Sequence, residues 1–232
     1  MWNTILNDEP GVWATLVLDN WFVALEIVSL WIKRSKFHPL DVSFQIYGVY
    51  GFKDTDAGHA VIKMLHRELW RIRSFSAGYF LDYCDISPLF PQNVSTETPM
   101  MQSLTLQSLK VSPEGRLGCI HCPQLCTLTL RNCDKAIKSS ISKPMQNLCV
   151  VTIFGYCIKL LQALPSLVSL TWRWGGSELP LHDEIPRVAL SSLKSLAFRS
   201  YHWVIMTHLL NVPSLEHLEL GISTVSMPIK EA

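Results

Sequence analysis

Three stretches of this chain share one spelling: PQLCTLTL from Pro123 to Leu130, PSLVSLTW from Pro165 to Trp172, and PSLEHLEL from Pro213 to Leu220. Each sets a proline ahead of the pattern L-x-x-L-x-L. Its last three positions alternate apolar and polar, as in a short strand with one buried face. Looser copies lie between them, with apolar triplets at Met101, Leu104 and Leu106, at Leu148, Val151 and Ile153, and at Leu193, Leu196 and Phe198. The six leading apolar positions, 101, 125, 148, 167, 193 and 215, stand 24, 23, 19, 26 and 22 residues apart. A unit this small cannot bury its own apolar face, so the repeats must stack, each strand pairing with its neighbours.

Periods of roughly 20 to 29 residues around an L-x-x-L-x-L core are the signature of leucine-rich repeats. The expected fold is therefore an α/β solenoid, a horseshoe with a parallel concave sheet and short helices or turns on its convex side. The first eighty residues follow a longer period. Val12 to Leu18 reads as a strand, Asn20 as a helix cap, Trp21 to Arg34 as a helix and His38 to Phe44 as the next strand. Caps at Asp54 to Asp56, helical spacing from Ala57 to Glu68 and a strand from Leu69 to Phe75 repeat the plan. Residues 1–80 are thus larger strand-helix repeats, 81–98 a surface loop, and 99–232 the shorter repeats of the same continuous solenoid. Later helices are expected at 157–164 and 202–210, each closed by a proline that cannot continue helical hydrogen bonding. An irregular insertion, 173–190, accounts for the 26-residue step.

Composition narrows the function. The 232 residues are 48% hydrophobic and 17% charged with a net charge of +1, so bulk attraction to nucleic acid or to an anionic membrane is not expected. The most apolar run, Trp21 to Ile32, is 12 residues, against about 20 needed to cross a bilayer. Asp8, Glu9, Pro10 and Gly11 interrupt the place of a signal peptide, so the sequon Asn93-Val94-Ser95 has no glycosylation machinery to meet. Seven cysteines, an odd number, fit reduced thiols in cytoplasm or nucleus. Cys133 falls where leucine-rich repeats use Asn or Cys to turn out of the strand. Cys119, His121, Cys122 and Cys126 form the one metal-like grouping, but Cys122 before Pro123 also suits a small buried apolar position, and no metal or cofactor is expected.

Nor is an enzyme expected. The chain holds no G-x-S-x-G, H-E-x-x-H, P-loop or spaced G-x-G-x-x-G motif. His182, Asp183 and Glu184 are adjacent in sequence and read as a solvated loop rather than as a convergent acid and base. The sheet face carries the remaining information. Between the leucines, one outward column reads Thr105, Thr129, Thr152, Thr171, Ala197, Glu219, and the next reads Gln107, Arg131, Phe154, Arg173, Arg199, Gly221. The threonines suit an exposed pleat. Arg131, Arg173 and Arg199 around Phe154 would hold carboxylate or phosphate groups of a protein partner; the alternative is solvated charge at strand ends.

PGVWATL at Pro10–Leu16, LWIKRSKFHPLDVSF at Leu30–Phe44 and LHRELWRIRSF at Leu65–Phe75, followed by the repeats, resemble the F-box/leucine-rich-repeat proteins abundant in mushroom-forming fungi. The resemblance implies the substrate-recognition part of a receptor for a cullin ubiquitin ligase. In that family the F-box binds a Skp-type adaptor and the repeats capture the protein to be ubiquitinated. The F-box would precede Trp13, and MWNTILNDE does not carry it, so the expectation is an internal start or a receptor without its adaptor-binding module. A free-standing interaction scaffold is the alternative reading, ahead of a zinc-containing enzyme or a nucleic-acid binder.

Overall fold

The computed structural model describes residues 9–18, 25–46, 55–79, 89–90, 96–107, 120–131, 133, 145–154, 158–173, 187–200 and 210–221. A 3-10 turn, Pro10–Trp13, leads into β1 (Thr15–Leu18). It is followed by α1 (Leu25–Arg34), β2 (Leu40–Ile46), α2 (Thr55–Arg67), a second 3-10 turn (Leu69–Arg71) and β3 (Ile72–Tyr79). Shorter units come next: β4 (Thr96–Glu97), β5 (Ser103–Gln107), β6 (Ile120–His121), β7 (Thr127–Arg131) and β8 (Val150–Phe154). A one-turn helix, α3 (Ile158–Gln162), precedes β9 (Ser169–Arg173), β10 (Val188–Ala189), β11 (Ser195–Arg199), β12 (Leu210–Asn211) and β13 (His217–Gly221).

Nine strands form one parallel sheet in the order β1-β2-β3-β5-β7-β8-β9-β11-β13, which is chain order. The protein is α/β, and each unit adds its strand beside the one before. Register is kept across units of different length: Leu16, Val42, Phe75, Leu104, Leu128, Val151, Leu170, Leu196 and Leu218 are successive partners. A second inward column passes from Leu106 through Leu130, Ile153, Trp172 and Phe198 to Leu220. Every member of both is buried up to β11, Trp172 and Phe198 meeting edge to face at 5.9 Å. On β13 the same two positions, Leu218 and Leu220, are 56% and 54% exposed.

The prolines do more than stop helices. In each short unit the leading apolar N–H donates back to a carbonyl three residues earlier: Met101 to Thr98, Leu125 to Cys122, Leu148 to Met145, Leu167 to Leu164, Leu193 to Leu190 and Leu215 to Val212. Pro99, Pro123, Pro165 and Pro213 thus occupy the second position of a four-residue turn, where a fixed φ is already correct. The next carbonyl closes the stack. Gln102 O accepts from the N–H groups of Cys126 and Thr127, Cys126 O from Cys149 and Val150, and Cys149 O from Val168 and Ser169.

The longer units are tied together by Arg71, which is 1% exposed. Its guanidinium donates to Glu68 at 2.7 Å, to Ser35 Oγ and His38 O at 3.0 Å, and to Ile32 O at 3.2 Å. With Ser35 Oγ it thereby serves Ile32 O, a carbonyl in the last turn of α1, it ties in His38 O beyond the helix, and it neutralises its charge on Glu68. α1 itself places Glu26 in its first turn and Lys33 and Arg34 in its last, as the helix dipole favours. Two residues past its end, Lys36 has φ 50°, a left-handed position usually given to glycine. Trp13 packs edge-on to Trp31 at 4.8 Å, and Arg34 lies 4.6 Å over the Trp13 ring.

Several expectations change. Val12 to Ala14 and Leu69 to Arg71 are not strand: Pro10 and the Arg71 bond to Glu68 favour tight turns at those places. Segment 81–98 is not surface loop throughout, since Leu89 and Phe90 are 1% and 0% exposed and β4 pairs with β6. A similar two-residue ladder joins β10 to β12, so short strands as well as helices lie between the main strands. The helix expected from Trp21 is described from Leu25 onward; Asn20, residues 174–186 and, of the helix expected at 202–210, residues 202–209 lie outside the described residues, while Leu210 belongs to β12 instead. No helix among the described residues is long and apolar enough to cross a membrane.

Replacing Leu128 or Leu170 with Ala is expected to cost about 2 to 5 kcal/mol of unfolding free energy, and replacing Thr129 or Thr171 with Ala under about 1 kcal/mol. Denaturant melts of the four variants check the assignment of faces; equal losses would reverse it.

Candidate functional site

The outward columns fall in register. Thr105, Thr129, Thr152, Thr171, Ala197 and Glu219 are successive partners and, up to Ala197, half-buried. One row on, Gln107 partners Arg131, Phe154 partners Arg173, and Arg173 partners Arg199, which partners Gly221. β8 thus brings Phe154 between Arg131 on β7 and Arg173 on β9. Both guanidinium carbons lie over its ring, at 5.1 and 5.3 Å from the centroid. Cation–π contact of this kind contributes only about 0.5 to 1 kcal/mol at an exposed site, but it fixes where two long side chains point.

Arg199 does not join them. Its Nη2 donates to Glu219 Oε1 at 2.8 Å, and its stem lies across Gly221, where an added Cβ would stand 3.0 Å from Arg199 Cγ. The absence of a side chain at Gly221 gives the arginine its path toward β13, away from Phe154. Sequence spacing made Arg173 and Arg199 neighbours, which they are in backbone register, but it did not register that Glu219 stands within reach. Glu219 was legible as a member of the adjacent column, where a carboxylate one strand from an arginine is a cross-strand ion pair.

Other ion pairs on this side of the sheet are also internally neutral. Arg73 bonds to Asp41, and Lys194 Nζ lies 3.2 Å from Glu216. The hydrogen bond to Asp41 holds the Arg73 pKa above its ordinary value. Among the described residues, Arg131 and Arg173 have no carboxylate partner. Both are exposed, with guanidinium N–H groups available to an anionic ligand.

The cysteines separate by role. Cys122 is 2% exposed, accepts a hydrogen bond from Thr98 Oγ1 at 2.8 Å and lies 3.9 Å from the Met101 sulfur. Burial pushes its thiol up to about 11, partly offset by the Thr98 bond. Cys126, four residues on, is exposed, and Cys119 lies outside the described residues. Among the described residues no three His, Cys, Asp or Glu side chains converge as a metal site. Cys133 is buried, and its thiol donates to Leu106 O at 3.1 Å, satisfying a carbonyl at the end of β5 where the chain leaves the sheet. His182, Asp183 and Glu184 lie outside the described residues.

No protein-family model, curated protein or solved structure matches the chain.

Because Cys122 keeps its proton up to about pH 11 when folded, while the unfolded thiol ionises near 9, the native state loses relative stability as pH rises through that window. At pH 8.5 iodoacetamide is expected to label Cys126 at least tenfold faster than Cys122, read by peptide mass spectrometry. Equal rates would mean that Cys122 is not buried.

Proposed function

We propose that the chain is a leucine-rich-repeat solenoid, a horseshoe whose concave sheet captures a protein partner through an acidic or phosphorylated segment. The observation that carries this reading is the Arg131–Phe154–Arg173 group, two exposed cations without carboxylate partners among the described residues, oriented on one aromatic ring. Exposed single ion pairs are worth about 0 to 1 kcal/mol, whereas two fixed guanidinium forks can each take a carboxylate or phosphate bidentately. The flanking threonine column supplies hydroxyls to the same segment without charge of its own.

The partner is, in this proposal, the substrate of an F-box-type receptor for a cullin ubiquitin ligase. Support for that role comes from the likeness of three N-terminal segments to the F-box/leucine-rich-repeat proteins. Those segments are the ones joined by Arg71, Ser35 and His38 and by the Trp13–Trp31–Arg34 stack, so they make up a single packed junction rather than scattered similarity. A free-standing interaction scaffold would use the same sheet face. The two differ in whether a chain bearing an F-box ahead of Trp13 co-purifies with a Skp-type adaptor.

The double change Arg131→Ala with Arg173→Ala is expected to weaken binding of acidic and phosphorylated peptides from an array by tenfold or more, with unaltered circular dichroism. Added salt should act in the same direction. Arg199→Ala, whose cation is already engaged by Glu219, is expected to change affinity less than threefold. Undiminished binding by the folded double variant would remove this face from the function.

A further inference from the structure

The row that precedes the sheet strands holds a feature unrelated to the arginines. Its successive members, set by the shared carbonyl bonds and the strand register, are Gln102, Cys126, Cys149, Val168, Lys194 and Glu216. Cys126 and Cys149 are therefore equivalent residues of adjacent repeats, 23 positions apart in sequence and one strand apart in space. The Cys126 carbonyl accepts the N–H groups of Cys149 and of Val150, both at 3.0 Å. Both thiols take the same local bond: Cys126 Sγ to Gln124 O at 3.3 Å, and Cys149 Sγ to Asn147 O at 3.2 Å. Side chains in equivalent conformations on adjacent units are offset by one strand spacing, about 4.8 Å. Further along the same row, Lys194 Nζ and Glu216 Oε1 lie 3.2 Å apart, so long side chains of neighbours in this row reach one another. Both cysteines are free; Cys126 is exposed and Cys149 half-buried.

We propose that Cys126 and Cys149 form a two-thiolate site for a soft monovalent cation of the Cu(I) type. Thiolate favours soft ions over Mg or Ca. Two thiolate–metal bonds of about 2.3 Å, the length thiolate takes to zinc, span about 4.6 Å end to end, close to one strand spacing, and the thiol bonds to Gln124 O and Asn147 O are given up as the protons leave. A disulfide would need both sulfurs to leave these conformers and close to about 2.05 Å. Binding releases both thiol protons to solvent and leaves a bis-thiolate complex of charge −1. Zinc is disfavoured, because it takes four ligands and this row offers two. Cys119 of the grouping read from sequence lies outside the described residues, and the pairing of Cys126 with Cys149 follows from the repeat register.

The test uses the whole reduced chain, without oxygen, titrated with Cu(I) supplied as its acetonitrile complex against a chromophoric Cu(I) chelator. One ion per chain is expected to be withdrawn from the chelator. Iodoacetamide mapping should show Cys126 and Cys149 protected together by Cu(I) and unprotected by Zn(II). Cys126→Ser and Cys149→Ser are each expected to lower affinity at least tenfold with unchanged melting curves, and each should leave the remaining thiol labelled. Copper bound while both thiols still alkylate at the free rate would overturn the site. So would full affinity in either single variant, or conversion of the pair to a disulfide by oxidised glutathione in a chain that takes up no copper.

Discussion

A strand in a parallel sheet buries its apolar side chains only when neighbours stand beside it in the same register, and this requirement organises the whole chain. A slip of one residue would turn Leu128 and Leu130 to solvent and Thr129 to the core. Register is set before each strand begins. The turn that opens on Cys122, Leu164 or Val212 aims the chain, and one carbonyl then accepts two N–H groups of the following unit. Repeats of 19 to 26 residues can differ in length because this junction, and not the loop, positions the strand.

The larger N-terminal units obey the same register with different means. Here α1 and α2 cover the sheet, and the shift between Leu40 and Asp41 absorbs the irregular entry into β2. Arg71 takes the part that the proline turn plays later. A buried cation with one carboxylate and three further acceptors is costly to remove, because its bonds to Glu68, Ser35 Oγ and His38 O would go unmade and Ile32 O would keep only the bond from Ser35 Oγ. His66 Nδ1 adds a bond to Leu89 O at 2.8 Å, drawing the apolar Leu89–Phe90 pair onto α2.

Much of this was legible in the residues. The alternation in L-x-x-L-x-L gave both faces, and the outward columns it implied are the observed partners from Thr105 to Glu219. The pattern does not show contacts that depend on side-chain direction or on pairs split between units. Spacing placed Arg199 beside Arg173, but not the open path over Gly221 that turns it to Glu219. Local spacing grouped Cys126 with Cys122, whereas the turn sends one outward and the other into the core. The 3-10 turns at Pro10–Trp13 and Leu69–Arg71 carry apolar, strand-like residues whose conformation is decided by a proline and by a buried ion pair.

In-register stacking in chain order is the claim on which the arginine face and the thiol pair both rest. Spin labels on the outward middle column test it directly, with one label at Ser76 and the second at Thr171, Ala197 or Glu219. These pairs are four, five and six strands apart. Electron–electron distances should rise by about 4 to 5 Å at each step, one strand spacing, whatever the length of the intervening loop. Distances that fail to increase in that order, or that jump by much more than one spacing between Thr171 and Ala197, would contradict the account.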